Sequence, residues 1–212
     1  MIHQNSRRTL LVAATAWLAS FASGSTAAAA QTDANANAPL IPAALPRNSV
    51  YQLDVTLTNQ DGQTIRWRDT PAQHTGPRIV GMFYSYCDMV CPMLFETVKI
   101  IEGRLPEAAR SRLRVDMISF DPARDDIATL KKTAAQRAGD ERRWRLYRPQ
   151  PADVRKVAGV LGVQYRRLAS GEFNHSTPMI LLDAQGVELM RSETIGKPDP
   201  AFVKAVEKSL ST

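Results

Sequence analysis

Cysteine is scarce in this sequence: its 212 residues include two cysteines, Cys87 and Cys91, and three histidines. Neither cysteine follows directly on the apolar segment near the N-terminus, so we do not expect the mature chain to be a lipoprotein. The apolar run at residues 9–21 is shorter than the roughly 20 residues that a membrane-spanning helix needs. An uncleaved membrane anchor is therefore the less favoured interpretation of this run. The sequence also contains no internal repeat, which argues against a repeat architecture.

The first 30 residues have the pattern of a secretory signal peptide. Arg7 and Arg8 precede the apolar run without any acidic residue, and small residues at 27–30 offer cleavage sites. The paired arginines resemble a twin-arginine export signal, although the general export route is equally compatible. Residues 31–46 are rich in Ala, Asn and Pro, which predicts a flexible tether. We therefore expect an exported, periplasmic protein whose folded domain spans residues 47–212.

The net charge of +6 is spread along the chain rather than concentrated in one segment. Scattered basic residues indicate a solvated surface with some attraction for acidic membranes or partners. We do not expect nucleic-acid binding. The length of the mature chain fits one domain with a sizeable core.

Strand and helix patterns alternate along the domain. An Asp61-Gly62 turn predicts an N-terminal β-hairpin, and the apolar run at 78–85 predicts a central buried strand. A loop is expected at 69–77. Further strands are predicted at 51–57, 64–67, 113–120, 144–147, 163–168, 179–182 and 187–191, and helices at 91–105, at about 125–138, at 151–161 and at 199–210. This order predicts an α/β fold with an open sheet covered by helices.

The two cysteines lie between the predicted central strand and the start of the predicted helix that follows it. Unpaired N–H groups and the helix dipole favour negative charge at a helix N-terminus, which lowers the pKa of a thiol there. Thiolates bind soft metals and attack disulfides. The spacing of four residues lets both sulfur atoms point at one ion, and it also lets the pair close as a disulfide.

Three motifs give the sequence a recognisable order. They are a CxxxCP motif at 87–92, a DPxRD motif at 121–125, and an NHST motif at 174–177 that precedes a strand and a DAQG turn at 183–186. Together they resemble the Sco/SenC family over roughly residues 50–210. The resemblance implies a thioredoxin-like fold with a central mixed sheet, and a copper site made of Cys87, Cys91 and His175. It also implies a role in assembling the copper site of cytochrome oxidase, with the subunit that carries this site as partner.

Two thiolates and an imidazole suit Cu(I) and also allow Cu(II). Zinc fits less well, because structural zinc sites use four protein ligands. A purely structural disulfide is the plainest alternative, but closing so short a loop contributes only about 2 kcal/mol. A thiol–disulfide oxidoreductase acting on an exported thiol protein is the second candidate, with Cys87 attacking and Cys91 resolving. A partner-binding scaffold without activity is the third.

The neighbouring residues receive simpler interpretations. We expect His74 to lie at the surface. Met89 and Met93 could offer sulfur to a metal, but packing is the favoured interpretation. Asp121 and Asp125 could hydrogen-bond near the site or cap the following helix, and the cap is favoured. Tyr84 and Tyr86 are expected to shield the cysteines. Pro178, which opens the strand after His175, resembles the proline that faces the cysteines in thioredoxins, and such a proline would favour disulfide exchange over metal binding.

Overall fold

The central feature of the fold is a mixed sheet of seven strands, seen in a computed structural model that describes residues 44–211, apart from the side chain of Ala72. In chain order the strands are β1 (Thr56–Asn59), β2 (Thr64–Arg66), β3 (Arg78–Phe83), β4 (Arg114–Ser119), β5 (Trp144–Pro149), β6 (Tyr165–Arg167), β7 (Phe173–His175), β8 (Met179–Leu182) and β9 (Glu188–Ser192). The predicted signal peptide and residues 31–43 of the predicted tether lie outside the described residues.

The strands of the main sheet follow the order β2-β1-β5-β4-β3-β8-β9, and β6 pairs only with β7. Strands β3, β4 and β5 are parallel, whereas β1 and β2 on one side and β8 and β9 on the other run antiparallel to their neighbours. All six residues of β3 are buried, as expected for a central parallel strand. The prediction of a mixed sheet with an N-terminal hairpin is confirmed.

Six α-helices connect and cover the strands in the described part of the chain. They are α1 (Thr70–Gln73), α2 (Val90–Arg104), α3 (Glu107–Arg110), α4 (Ile127–Arg137), α5 (Val154–Val160) and α6 (Pro200–Leu210). Helix α2 presents Leu94, Val98 and Ile101 to the core at helical spacing, and all three are fully buried. None of the helices within residues 44–211 combines the length and the apolar character needed to cross a bilayer.

Large aromatic side chains fill the space between α2 and the sheet. The ring of Phe95 lies 5.7 Å from that of Trp144 in a stacked arrangement and meets Phe83 edge-on at 5.4 Å. Trp144 donates a hydrogen bond of 2.8 Å from Nε1 to the buried carboxylate of Glu102. These contacts fix α2, and therefore its first turn, against the end of β3.

Two predicted segments before β3 differ in the structure. The strand expected at 51–57 is a short 3-10 helix at Val50–Gln52 followed by β1, which begins only at Thr56. Val50 donates its N–H to the carbonyl of Gly186, and the ring of Tyr51 packs edge-on against Trp67. The loop expected at 69–77 contains the single helical turn α1.

Candidate metal centre

The cysteine segment begins where β3 ends. Cys87 lies in a turn four residues beyond Phe83, and its N–H donates to the carbonyl of Tyr84 at 3.3 Å. Cys91 occupies the first turn of α2, as predicted, and its N–H donates to Sγ of Cys87 at 3.2 Å. Both thiols are free and almost wholly buried, with 5% and 0% of their surfaces exposed.

The two thiols have opposite acidities. The pKa of Cys87 is lowered to about 3, chiefly because the thiol of Cys91 donates a hydrogen bond to it, with further bonds from His175 and from the N–H groups of Cys91 and Met89. The pKa of Cys91 is raised, because its thiol is held by Cys87 and is buried. The hydrogen bonds therefore favour the negative charge on Cys87 and the proton on Cys91.

His175 reaches the cysteines from a distant part of the sequence. It is the last residue of β7, and its ligand nitrogen and the two sulfur atoms all lie within 4.8 Å of one another. Strand β8 runs antiparallel to β3, with Ile180 opposite Val80, so the chain that enters β8 lies at the cysteine end of β3. The predicted approach of His175 to the cysteine pair is confirmed.

The local structure around His175 differs from the prediction. A single strand was expected at 163–168, with a loop before β8. The structure instead has two three-residue strands, β6 and β7, which form a hairpin of their own, with His175 opposite Tyr165. The turn between them places Gly171 at φ 87°, a conformation that favours glycine.

A cluster of rings surrounds the imidazole. The ring of His175 lies 4.8 Å from that of Phe120 and 5.8 Å from that of Tyr84. Phe173 packs edge-on against both of these rings, and Tyr165 stacks on Phe120 at 5.5 Å. The hairpin is therefore held to the main sheet by aromatic packing.

Two polar contacts also tie the hairpin to the cysteine end of the sheet. The hydroxyl of Tyr84 donates to the Glu172 carboxylate at 2.6 Å, and Nη2 of Arg124 donates to the carbonyl of Gly171 at 3.0 Å. Arg124 is held in turn by an ion pair with Asp121. The sequence interpretation gave Arg124 and Glu172 no role, although Arg124 belongs to the DPxRD motif.

Asp125 supports the turn that carries Cys87. It is fully buried and accepts hydrogen bonds from the N–H of Ser85 at 3.2 Å and from the hydroxyl of Ser119 at 2.5 Å. Burial raises the pKa of its carboxyl group. The prediction that Asp125 caps the next helix is wrong, because Asp126 is the N-cap of α4 and accepts the N–H of Thr129.

Among the remaining candidates, the two methionines differ from the prediction. Met89, Met93 and Tyr86 are 71%, 39% and 53% exposed, so the two methionines do not pack in the core. Tyr84 is buried against the ring cluster. His74 does not join the cysteine group, and its Nε2 lies 2.9 Å from the carbonyl of Arg112. Pro178 is buried immediately before β8.

Comparison with known proteins identifies the family. The model of the SCO1/SenC family matches residues 44–210, which is most of the chain. The chain belongs to the SCO1/SenC family. No curated protein gives a significant match to the sequence.

Solved structures of Sco proteins share the fold at low sequence identity. The copper-bound ScoI of Arabidopsis thaliana is 15% identical, with a TM-score of 0.60 over 73% of this chain and 96% of that chain. Copper-bound yeast Sco1 is 16% identical, with a TM-score of 0.61 over 74% and 87%. BsSco, described as a member of the Sco family of cytochrome c oxidase assembly proteins with a disulfide switch, is 17% identical, with a TM-score of 0.60 over 74% and 91%. The predicted thioredoxin-like fold is confirmed.

Proposed function

We propose that this SCO1/SenC protein binds copper through Cys87, Cys91 and His175 and delivers it during assembly of the cytochrome oxidase copper site. The observation that carries the proposal is the convergence of these three side chains, although His175 is far from the cysteines in sequence. The copper-bound Sco structures and the family description of BsSco support it. The signal-like N-terminal segment supports a periplasmic location.

The donor set suits copper as cargo. The lowered pKa of Cys87 favours its thiolate form. Thiolates are soft ligands that prefer Cu(I), whereas an added imidazole nitrogen makes the site competent for Cu(II). Binding releases the proton of Cys91, because a thiol must be deprotonated to ligate. A structural zinc site is less suitable, since only these three ligand residues come together among the described residues.

The surface around the cysteines suits transfer to a partner. Tyr86, Met89 and Met93 expose apolar surface beside thiols that are themselves buried. Exposed apolar groups of this kind are typical of a protein contact surface. We infer that a copper-site subunit that reaches Cys87 would contact exposed side chains of this segment.

The test is metal binding by matched variants. Reduced protein is titrated with Cu(I) against a chelator of known affinity and with Cu(II) by absorption spectroscopy. We expect one copper per chain in wild type and none retained in Cys87→Ser or Cys91→Ser. In His175→Ala we expect Cu(II) binding to weaken on the order of a hundredfold, with Cu(I) changed far less, because two thiolates satisfy Cu(I). His74→Ala is the control, since its ring lies outside the group.

A second function is favoured by the unequal acidity of the two thiols. A low-pKa thiolate at Cys87 beside a protonated Cys91 is the arrangement of a thiol–disulfide oxidoreductase. Cys87 would attack a partner disulfide and release one partner thiolate. Cys91 would then displace the second, so that the partner gains two electrons and the pair becomes a disulfide. Reduction of a protein disulfide that survives His175→Ala, with no copper retained by wild type, would reject copper delivery in favour of this function.

A further inference from the structure

A second cluster of charged side chains lies at the opposite end of the sheet from the cysteines. In the parallel register Arg78 stands opposite Arg114, and Asp116 stands opposite Arg145. Residues two apart on a strand share a face, so these four side chains project from the same face near the beginnings of β3, β4 and β5. The cysteines follow the far end of β3, which separates the two sites by the length of that strand.

These side chains line a cavity of about 240 Å³. Helix α1 contributes Thr70 to its wall, and Arg142 lies at its rim. A water molecule occupies about 30 Å³ in the liquid, so the cavity has room for a ligand of several heavy atoms.

The cavity has more positive than negative charge. Asp116 is the one carboxylate that lines the cavity, and it forms an ion pair with Arg78, with 2.7 Å between Oδ2 and Nη1. Both side chains are about 5% exposed. Arg142 pairs with Asp140 outside the cavity. Arg114 and Arg145 donate only to backbone carbonyls and form no ion pair within residues 44–211.

The positive groups are close enough to oppose one another. The pKa of the Arg114 guanidinium is lowered, first by burial and then by the charges of Arg78, Arg143 and Arg145. Holding such groups together has a free-energy cost that a bound anion would remove.

Two residues that line the cavity each carry a buried polar atom without a hydrogen-bond partner among the described residues. The atoms are Nε of Arg78 and Oγ1 of Thr70. Buried polar atoms in folded proteins are nearly always hydrogen-bonded, and an unpaired one often marks the place of a water molecule or an ion. Both atoms belong to residues that line the same cavity, so the hydrogen-bonding capacity of its wall is not fully used within the described residues.

We propose that this cavity binds an oxyanion of the phosphate class, either as a free anion or as the headgroup of an anionic phospholipid. Guanidinium groups match the geometry of phosphate oxygens and bind them through paired hydrogen bonds. The site lies apart from the copper ligands, so its occupancy does not depend on the proposed copper function.

The experiment measures binding of inorganic phosphate and pyrophosphate to the full chain by calorimetry. Vesicles of phosphatidylglycerol or phosphatidylcholine are tested in parallel by sedimentation. Arg114→Gln and Arg145→Gln each remove one cation of the cavity, whereas Arg155→Gln removes an exposed cation from α5 and serves as the control. We expect each cavity variant to weaken binding roughly tenfold, with less than a twofold change in the control.

The two sources of phosphate give different results. Binding of pyrophosphate in solution identifies a free anion, and binding only to phosphatidylglycerol vesicles identifies a lipid headgroup. Equal weakening by all three substitutions would mean unspecific charge attraction and would overturn the proposal, as would the absence of binding to any probe. Thermal unfolding of each variant checks that the fold persists. Arg145 is partly exposed, so Arg145→Gln still measures the contribution of a cavity cation if Arg114→Gln does not fold.

Discussion

The hydroxyl of Tyr84 offers the sharpest test of how His175 is positioned. It donates 2.6 Å to the carboxylate of Glu172, on the hairpin that carries His175. Hydrogen bonds to charged groups contribute about 1.5–3 kcal/mol, and competition by water at the exposed Glu172 reduces this to about 1 kcal/mol. Because about 1.4 kcal/mol corresponds to a factor of ten in affinity, Tyr84→Phe should weaken Cu(II) binding roughly fivefold. Cu(I), held by the two thiolates, should change less than about twofold.

The control is Tyr86→Phe, which removes a hydroxyl from a half-exposed ring near the same site. Affinities are measured by competition with chelators, and the Cu(II)–thiolate absorption band reports whether the nitrogen ligand is still bound. A double-mutant cycle with Glu172→Gln isolates the coupling between the two side chains. Equal losses of Cu(I) and Cu(II) affinity, or a loss as large in Tyr86→Phe, would refute the positioning role.

Two further predictions concern the cysteine turn. Asp125→Ala should lower the free energy of unfolding by about 2–4 kcal/mol, because it leaves the N–H of Ser85 and the buried hydroxyl of Ser119 without their acceptor. Asp126→Ala removes only a helix cap and should lower it by about 1 kcal/mol. Equal losses of stability in urea unfolding would contradict this difference. Because the pKa of Cys87 is lowered to about 3, the rate at which iodoacetamide alkylates Cys87 should change little between about pH 9 and pH 5. An ordinary thiol, with a pKa near 8.5, is alkylated ever more slowly as the pH falls below that value. The rate is followed by mass spectrometry, and the pH profile of an ordinary thiol would show that Cys87 is not activated.

The strand and the helix on either side of the cysteines could be predicted from the sequence because each has a pattern of apolar residues within its own segment. The apolar run of β3 is buried throughout, and the spacing of Leu94, Val98 and Ile101 gives α2 its buried face. These patterns reflect how each element packs against the core, so they are visible without knowing the rest of the fold. The positions of Cys87 and Cys91 followed from them.

The supports of the site could not be predicted in the same way. The contacts of Tyr84 with Glu172 and of Asp125 with Ser85 join residues 88 and 40 positions apart. Nothing in the neighbouring sequence distinguishes Asp125, which reaches back to the cysteine turn, from Asp126, which caps α4. Which of the two carboxylates faces the cysteine turn depends on the direction of the chain as it leaves β4, and the assembled sheet sets that direction.

The proposed metal centre has two parts, which are held in place by different kinds of contact. The thiols belong to a turn and a helix fixed by the core, whereas His175 lies on a hairpin whose two strands pair only with each other. An isolated two-stranded hairpin is at best marginally stable in water. Its position must therefore come from the ring cluster, from Tyr84 and from Arg124. On the proposed copper binding, we therefore expect Cu(II) affinity to depend on contacts that never touch the metal, and Cu(I) affinity to depend on the core that fixes the thiols.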